Sequence, residues 1–180
     1  MGLKDVIEKG HLREIEPNIE FAFKEWKESE LDLKTASSEL KAGGFKWSII
    51  KSYYSMFHAA KAVLFKAGFR EKTHYAVVFV LQDFAEKGLL EQKFIEDYKA
   101  AIFAREQADY HYSHSRETAL QMLEIAGEFI AEMKKKREEK NGVFFLHPPV
   151  GGFKKSSKVA APKGILGRQS DITKLVGRML

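Results

Sequence analysis

The sequence contains no cysteine, which excludes disulfide bonds and thiolate metal sites and fits a reducing compartment. It also lacks any apolar run long enough to cross a membrane, and its first ten residues lack the apolar core of a secretory signal. We therefore expect a cytoplasmic protein with no membrane partner. The hydrophobic fraction of 44% and the charged fraction of 31% are ordinary for a soluble domain, and 180 residues suffice for one core.

Acidic residues are scarce in one part of the chain. Residues 141–180 hold seven Lys or Arg but a single acid, Asp171, whereas residues 1–140 hold 23 bases and 24 acids. Positive charge that steers nucleic acid is thus confined to the end of the chain. The sequence predicts a body at residues 1–140 and an irregular basic extension, rich in turn-forming Gly, Pro and Ser, at residues 141–180. Within the extension, residues 143–146 are expected to pack against the body and residues 171–180 to form a last helical piece.

Helix breakers are absent from FKWSIIKSYYSMFHAAKAVLFKA until Gly68 ends the stretch, so we predict one long helix at residues 45–68. Its apolar side chains recur at steps of three and four, which predicts a buried stripe. The stripe consists of Ile50, Tyr53, Phe57, Ala60, Leu64 and Ala67. A polar and aromatic line beside the stripe consists of Lys51, Tyr54, His58, Lys61 and Phe65.

The same spacing predicts four further helices in the body. They are a helix at residues 17–42 with Pro17 in its first turn, a helix at residues 73–88 capped by Thr73, a helix from residue 91, and a helix that begins after Ser113 or Ser115. His74 falls on the inner face of the second of these. Residues 1–16 are predicted as a short helix or an arm, and no segment of the body alternates as a strand does. Short connections imply antiparallel neighbours, so the predicted fold class is all-α, an up-and-down bundle of about five helices.

Arg105 continues the inward face predicted for the helix that starts near residue 91, where a charge needs a partner. Asp109 lies one helical turn away, and a structural ion pair between the two is one interpretation. The other interpretation groups Arg105 with Tyr110 and His111 at the end of that helix. Arginine binds phosphate through a planar fork, and histidine moves protons near neutral pH. This set suits metal-independent cleavage of RNA, and a dimer would supply a second copy of the same side chains.

The polar line of the central helix is a second candidate site. His58 and Lys61 lie one helical turn apart, and in one interpretation they form a ligand pocket or a dimer face with Tyr54. In the simpler interpretation His58 is a partly buried structural histidine near a solvated Lys61.

One spacing in the sequence raises the question of a metal. His111, His114 and Glu117 form an H-x-x-H-x-x-E pattern, which would bind a metal only if all three shared one helical face. We expect the helix to break there, and we therefore predict no metal and no cofactor. No phosphate-binding loop, dinucleotide-binding glycine pattern or nucleophile elbow is present.

Four features in this order resemble one known family. A first helix ends near the glycine pair at residues 43–44, and SYYSMFHAAKAVLFKAG, KTHYAVV and REQADY follow it. The set spans about residues 17–135 and is similar to the HEPN domain, above all to its small prokaryotic branch with A-D-Y after the arginine. The resemblance implies an antiparallel helical bundle that forms a homodimer, with the arginine–histidine motif near the dimer cleft.

The resemblance also implies a function. Many HEPN proteins are metal-independent endoribonucleases, often toxins, and are encoded beside a minimal nucleotidyltransferase that acts as the antitoxin. Catalytic members have an arginine, usually a polar residue next, and a histidine a few residues later. Arg105 and His111 match the two ends of that motif, and Glu106 stands where asparagine is common. The implied substrate is RNA.

Some HEPN members carry a tyrosine two residues after the histidine, which the partner enzyme adenylylates. Ser113 stands at that position here, while Tyr110 and Tyr112 flank the histidine. The sequence thus gives Arg105 and His111 as the catalytic candidates. The candidate binding residues are Asp109, Tyr110, Tyr112, Lys51, Tyr54 and His58.

Three hypotheses about function follow from the sequence. The first is the ribonuclease. The second is a non-catalytic module that binds a nucleotide or a nucleotidyltransferase partner. The third is a scaffold in which Asp109 saturates Arg105.

Overall fold

Residues 2–138, which a computed structural model of the chain describes, form six helices and a two-stranded sheet. The elements are α1 (Leu3–Glu8), β1 (Leu12–Glu14), α2 (Ile19–Lys41), α3 (Phe45–Ala67), β2 (Phe69–Glu71), α4 (Ala76–Glu86), α5 (Gln92–Tyr110) and α6 (Arg116–Glu138). The predicted all-α bundle is confirmed, and none of these helices is long and apolar enough to span a membrane. The basic extension, including the predictions for residues 143–146 and 171–180, lies outside the described residues.

The central helix of the bundle is α3. It packs against α2, α4, α5 and α6, and 16 of its 23 residues are buried. Every residue of the predicted apolar stripe is buried, which confirms that prediction. Burial extends beyond the stripe to Ser52, Ser55, Ala59 and Ala62, whose small side chains let neighbouring helices approach closely. The other long helices are therefore arranged around α3.

The polar line of α3 faces α2. Lys51 Nζ lies 2.7 Å from Asp32 Oδ1, and His58 Nδ1 lies 2.6 Å from Glu25 Oε2. His58 Nε2 is also 3.8 Å from Asp32 Oδ2. The two carboxylates of α2 thus meet the cationic and imidazole groups of α3 in a half-buried seam. Charged groups at such a depth need partners because burial removes their hydration.

Lys61 is not solvated, and that part of the sequence-based interpretation is wrong. Its ammonium lies 2.8 Å from Glu25 Oε1 on α2 and 3.3 Å from Glu71 Oε1 on β2, and its side chain is only 16% exposed. Burial raises the pKa of Glu25, but the bonds from His58 and Lys61 outweigh burial, so the pKa lies below its usual value. The seam therefore holds Glu25 in its ionised form.

Side-chain caps fix the starts of α2 and α6. Asn18 Oδ1 accepts a hydrogen bond from the Phe21 N–H at 2.9 Å, and Ser115 Oγ accepts one from the Thr118 N–H at 3.1 Å. Of the two caps predicted for the last helix, Ser115 is thus the one used. Pro17 precedes the cap of α2 instead of lying in its first turn.

The sequence places the start of α4 too early. Thr73 is not its N-cap, because α4 begins at Ala76 after a turn in which the Ala76 N–H donates to the Thr73 carbonyl oxygen at 3.0 Å. His74 lies in this turn and is not on the inner face of the helix. Its ring packs against Phe57 of α3 instead, with 4.1 Å between ring centroids. Contacts with α3 stabilise the turn in place of a first helical turn.

The expectation that residues 1–140 contain no strand is also wrong. β1 and β2 pair antiparallel, with Leu12 opposite Glu71 and Glu14 opposite Phe69. Three residues per strand are too few to show alternation in a sequence. The pairing arises because the segment before α2 runs back along the segment after α3. The Ile15 N–H donates to the Gly68 carbonyl oxygen at 2.9 Å, which ties the two segments together at the end of α3.

Gly68 and Gly88 offer a matched pair of substitutions to alanine. Both have a left-handed φ, of 83° and 71°, but a Cβ at Gly68 would lie 2.9 Å from the Ile15 carbonyl oxygen, whereas a Cβ at Gly88 meets nothing within 4 Å. We expect Gly88→Ala to lower the free energy of unfolding by about 1 kcal/mol and Gly68→Ala by about 2–4 kcal/mol. Urea denaturation measures both. Equal losses would contradict the close approach at Gly68.

The α2–α3 seam predicts a second stability difference. Glu25→Gln removes the charge that holds His58 and Lys61, and we expect a loss of about 1–3 kcal/mol in the free energy of unfolding. Because the folded-state pKa of Glu25 is lowered, its contribution is present above pH 4.5 and is lost as the pH falls below that value. The free energy of unfolding, measured above and below pH 4.5, should depend less on pH in Glu25→Gln than in the wild type. Glu20→Gln on the exposed surface of α2 is the control and should cost much less.

Candidate functional site

Arg105 lies near the C-terminal end of α5, at the edge of the face that this helix buries. That face consists of Phe94, Ile95, Tyr98, Ala101, Ala104 and Ala108. The Arg105 side chain is 16% exposed. Its guanidinium carbon lies 5.4 Å from the centroid of the Tyr53 ring and 5.9 Å from that of Tyr110. These are cation–π distances, so the charge lies between a core ring of α3 and a surface ring of α5.

The predicted ion pair of Arg105 is present but loose. Nη1 lies 3.7 Å from Asp109 Oδ2, and Nη2 lies 3.4 Å from Glu106 Oε1. Both distances exceed the ~2.8 Å of a strong charge-assisted hydrogen bond. Nε is buried and has no hydrogen-bond partner among the described residues. The guanidinium is therefore neutralised in part, and its N–H groups are not saturated.

Asp109 is shared with a second cation. Lys46 Nζ lies 3.5 Å from Asp109 Oδ1 and within 6 Å of two exposed rings, Trp47 at 5.7 Å and Tyr112 at 5.8 Å. Trp47 is 55% exposed and Tyr112 is 79% exposed. We call the surface formed by Lys46, Trp47, Tyr110 and Tyr112 the aromatic rim. Lys46 and Trp47 were not among the candidate residues from the sequence, because nothing in the local pattern links the start of α3 to the end of α5.

His111 is the C-cap of α5 and directly follows Tyr110, the last residue of that helix. Its backbone N–H donates to the Gln107 carbonyl oxygen at 3.1 Å, and the Ser113 N–H donates to the same oxygen at 3.1 Å. Between them Tyr112 has a φ of 54°, a left-handed conformation that a residue with a side chain adopts at a cost of roughly 1–2 kcal/mol. The imidazole of His111 is exposed and has no hydrogen bond or ion pair within residues 2–138. This sharp end to α5 places an unpaired imidazole six residues beyond Arg105 along the chain.

A second histidine, His74, lies close to Arg105 and was missed as a candidate. Its Nδ1 is 2.6 Å from the Tyr53 hydroxyl, and Tyr53 is the same ring that Arg105 covers. Burial lowers the pKa of His74, and the neighbouring Arg105, Lys61 and His58 lower it further. Burial raises the pKa of Tyr53, so its hydroxyl keeps its proton. No sequence pattern links His74 to Tyr53, because 21 residues separate them and only the tertiary fold brings them together.

The candidates on the polar line of α3 divide into two groups. Lys51 and His58 are engaged by the α2 carboxylates of the seam described above. Tyr54 instead contacts Tyr53 at 5.3 Å and His74 at 6.1 Å between ring centroids, so it belongs to the surroundings of Arg105. A ligand-binding role for these three side chains stays a prediction.

Residues 2–138 contain no group of three or more His, Asp or Glu side chains that could hold a metal ion. His111 and His114 lie in the segment between α5 and α6, and Glu117 lies in the first turn of α6. The structure does not bring these three residues together as a ligand set.

Comparison with known proteins places this chain in a family. A family model of the HEPN domain matches residues 23–137, which contain every site residue described above. A UPF0332 protein of Archaeoglobus fulgidus is 29% identical over 104 residues, which cover 57% of this chain and 83% of that protein. A UPF0332 protein of Pyrococcus horikoshii is 30% identical over 108 residues, which cover 59% of this chain and 66% of that protein. Because the family model covers well over half of the sequence, the chain belongs to the HEPN domain family.

Proposed function

We propose that this HEPN protein is a metal-independent endoribonuclease that acts in the cytoplasm as the toxin of a toxin–antitoxin pair with a minimal nucleotidyltransferase. The observation that carries the enzymatic part is the end of α5. There an incompletely satisfied guanidinium, Arg105, is followed by an unpaired imidazole, His111. The toxin role and the partner rest on the family, in which such pairs are common.

The chemistry needs only these two kinds of group. The 2′-oxygen of a ribose attacks the adjacent phosphorus, a new P–O2′ bond forms, and the P–O5′ bond breaks. His111 accepts the 2′-hydroxyl proton, and an imidazolium returns a proton to the leaving 5′-oxygen. Arg105 stabilises the negative charge on the phosphoryl oxygens in the transition state. The products are a 2′,3′-cyclic phosphate and a 5′-hydroxyl.

Two imidazoles serve this reaction better than one, because one must start neutral and the other protonated. A homodimer that joins the α5 ends of two copies across a two-fold axis would supply His111 twice. Arg105 would be doubled in the same way.

The aromatic rim supports single-stranded RNA as the substrate. Its three rings are between 55% and 79% exposed, and Lys46 lies against two of them. Exposed rings beside positive charge are the usual platform for unpaired bases, because each base presents a π-face whatever its identity. The rim would hold bases while Arg105 holds a phosphate.

A non-catalytic binding module is the second candidate, and one observation favours it. Glu106 and Asp109 flank the guanidinium, so a phosphate approaching Arg105 meets two carboxylates. They weaken the transition-state stabilisation that one arginine can give, but a partner protein or a nucleotide could still bind there. In this case Arg105 is a recognition residue and His111 has no proton to move.

The ribonuclease proposal predicts cleavage of RNA in the presence of EDTA. Arg105→Ala and His111→Ala should each slow cleavage by at least about 100-fold, since each removes a group that acts in the transition state. His114→Ala, which removes an imidazole three residues further along the same segment, is the matched control and should cleave at the normal rate. Gel analysis measures the rates, and end-group analysis should find cyclic phosphate. Intact RNA after incubation with a folded dimer would contradict the proposal.

The binding-module candidate predicts a different pattern. A purified nucleotidyltransferase encoded beside this protein should bind the wild type in isothermal titration calorimetry. Arg105→Ala should abolish that binding, and no variant or condition should yield cleavage. Binding that is unaffected by Arg105→Ala, or RNA cleavage by the wild type, would remove this candidate.

A further inference from the structure

Arg105 and His74 share one aromatic ring. The Arg105 guanidinium carbon is 5.4 Å from the Tyr53 centroid, and the His74 ring centroid is 5.9 Å from it. His74 meets Tyr53 at its hydroxyl edge through the 2.6 Å hydrogen bond, and the His74 residue itself is exposed. The two basic side chains, from α5 and from the turn before α4, therefore border the same core ring.

The hydrogen bond between the Tyr53 hydroxyl and His74 Nδ1 is compatible with either tautomer of the ring. We assign the tautomer in which the Tyr53 hydroxyl, which lies in the core and keeps its proton, donates to Nδ1. A neutral imidazole that accepts at Nδ1 carries its own proton on Nε2. The ring also stacks on Phe57 with planes 15° apart, which holds its orientation. His74 thus presents an N–H donor at Nε2 whose direction is set by the core.

The charges around His74 favour the neutral ring. Burial lowers its pKa, and Arg105 on α5 and Lys61 and His58 on α3 each lower it further. Carboxylates on α2 and β2 contact Lys61, and two carboxylates on α5 contact Arg105 at 3.4 and 3.7 Å. A phosphate at this site would therefore replace the two long contacts of Arg105.

We infer that His74 is a second phosphodiester-binding residue of the site, donating from Nε2 to an oxygen of the phosphate that Arg105 binds. This inference rests on the proposed RNA-binding role of Arg105. Tyr53 is then a positioning residue, because it orients His74 through a hydrogen bond and Arg105 through a cation–π contact. The site then has three basic side chains in each copy: Arg105 and His74 for the phosphate and His111 for the proton.

Direct observation of the imidazole is the first test. In a long-range 1H–15N correlation spectrum near neutral pH, His74 should show a bare Nδ1 and a protonated Nε2. Tyr53→Phe should remove this preference for one tautomer. Adding a short 2′-O-methyl RNA, which cannot be cleaved because its 2′-oxygen is blocked, should shift the Nε2 signal. A proton on Nδ1 in the wild-type protein would overturn the inference.

Binding of the same 2′-O-methyl RNA, measured by fluorescence anisotropy at one salt concentration, is the second test. His74→Ala should weaken binding by about tenfold, the usual effect of losing a hydrogen bond to a charged group. His74→Gln, whose amide offers an N–H in place of Nε2–H, should recover most of the loss. His11→Ala, which removes an exposed imidazole that touches neither Tyr53 nor Arg105, should bind normally.

The outcomes separate this inference from the proposed function. Binding unchanged in Arg105→Ala means that the proposed RNA site is wrong. Binding weakened in Arg105→Ala but unchanged in His74→Ala overturns the inference alone. If His74→Gln binds as poorly as His74→Ala while its melting curve matches the wild type, the imidazole acts through packing on Phe57, and the inference is again overturned.

Discussion

The burial of α3 on nearly all sides is the constraint on which the rest of the structure depends. A helix enclosed by four others can carry charged side chains only where a neighbour neutralises them. Lys51, His58 and Lys61 meet this condition through Asp32 and Glu25, so the seam that satisfies α3 also fixes how α2 lies against it. The seam therefore supplies specificity of packing at least as much as stability, since a loosely placed α2 would leave charges buried without partners.

The sequence is sufficient to predict the parts of the fold that depend on local periodicity. The stripe of α3, the order of the helices and the break after Gly68 all follow from spacing and from glycine. The partners of the polar line do not follow, because Glu25 lies 33 residues from His58 and Asp32 lies 19 residues from Lys51. The three-residue strands escape prediction for the same reason, since their pairing is a consequence of where α2 and α3 pack.

The candidate site shows the same division. Asp109 is predictable as a neighbour of Arg105, because both lie on one helix at a spacing of one turn. His74 and Lys46 reach the site from other elements, and His74 was placed on the wrong surface because a helical pattern was extended through a turn. Sequence patterns find the side chains that one helix presents, whereas a site between helices also needs the tertiary arrangement.

Tyr53 explains why the site is joined to the core. Its ring is 1% exposed and belongs to the apolar stripe, yet it supports Arg105 on one side and binds His74 at its hydroxyl. The guanidinium is therefore positioned by packing, while the carboxylates that neutralise it, Glu106 and Asp109, contact it at 3.4 and 3.7 Å. Contacts this long are weak, and Asp109 is divided between two cations. Under the proposed function, a phosphate that makes short bonds to Arg105 would displace these carboxylates without moving the arginine, because the guanidinium is positioned by the core and not by its ion pairs.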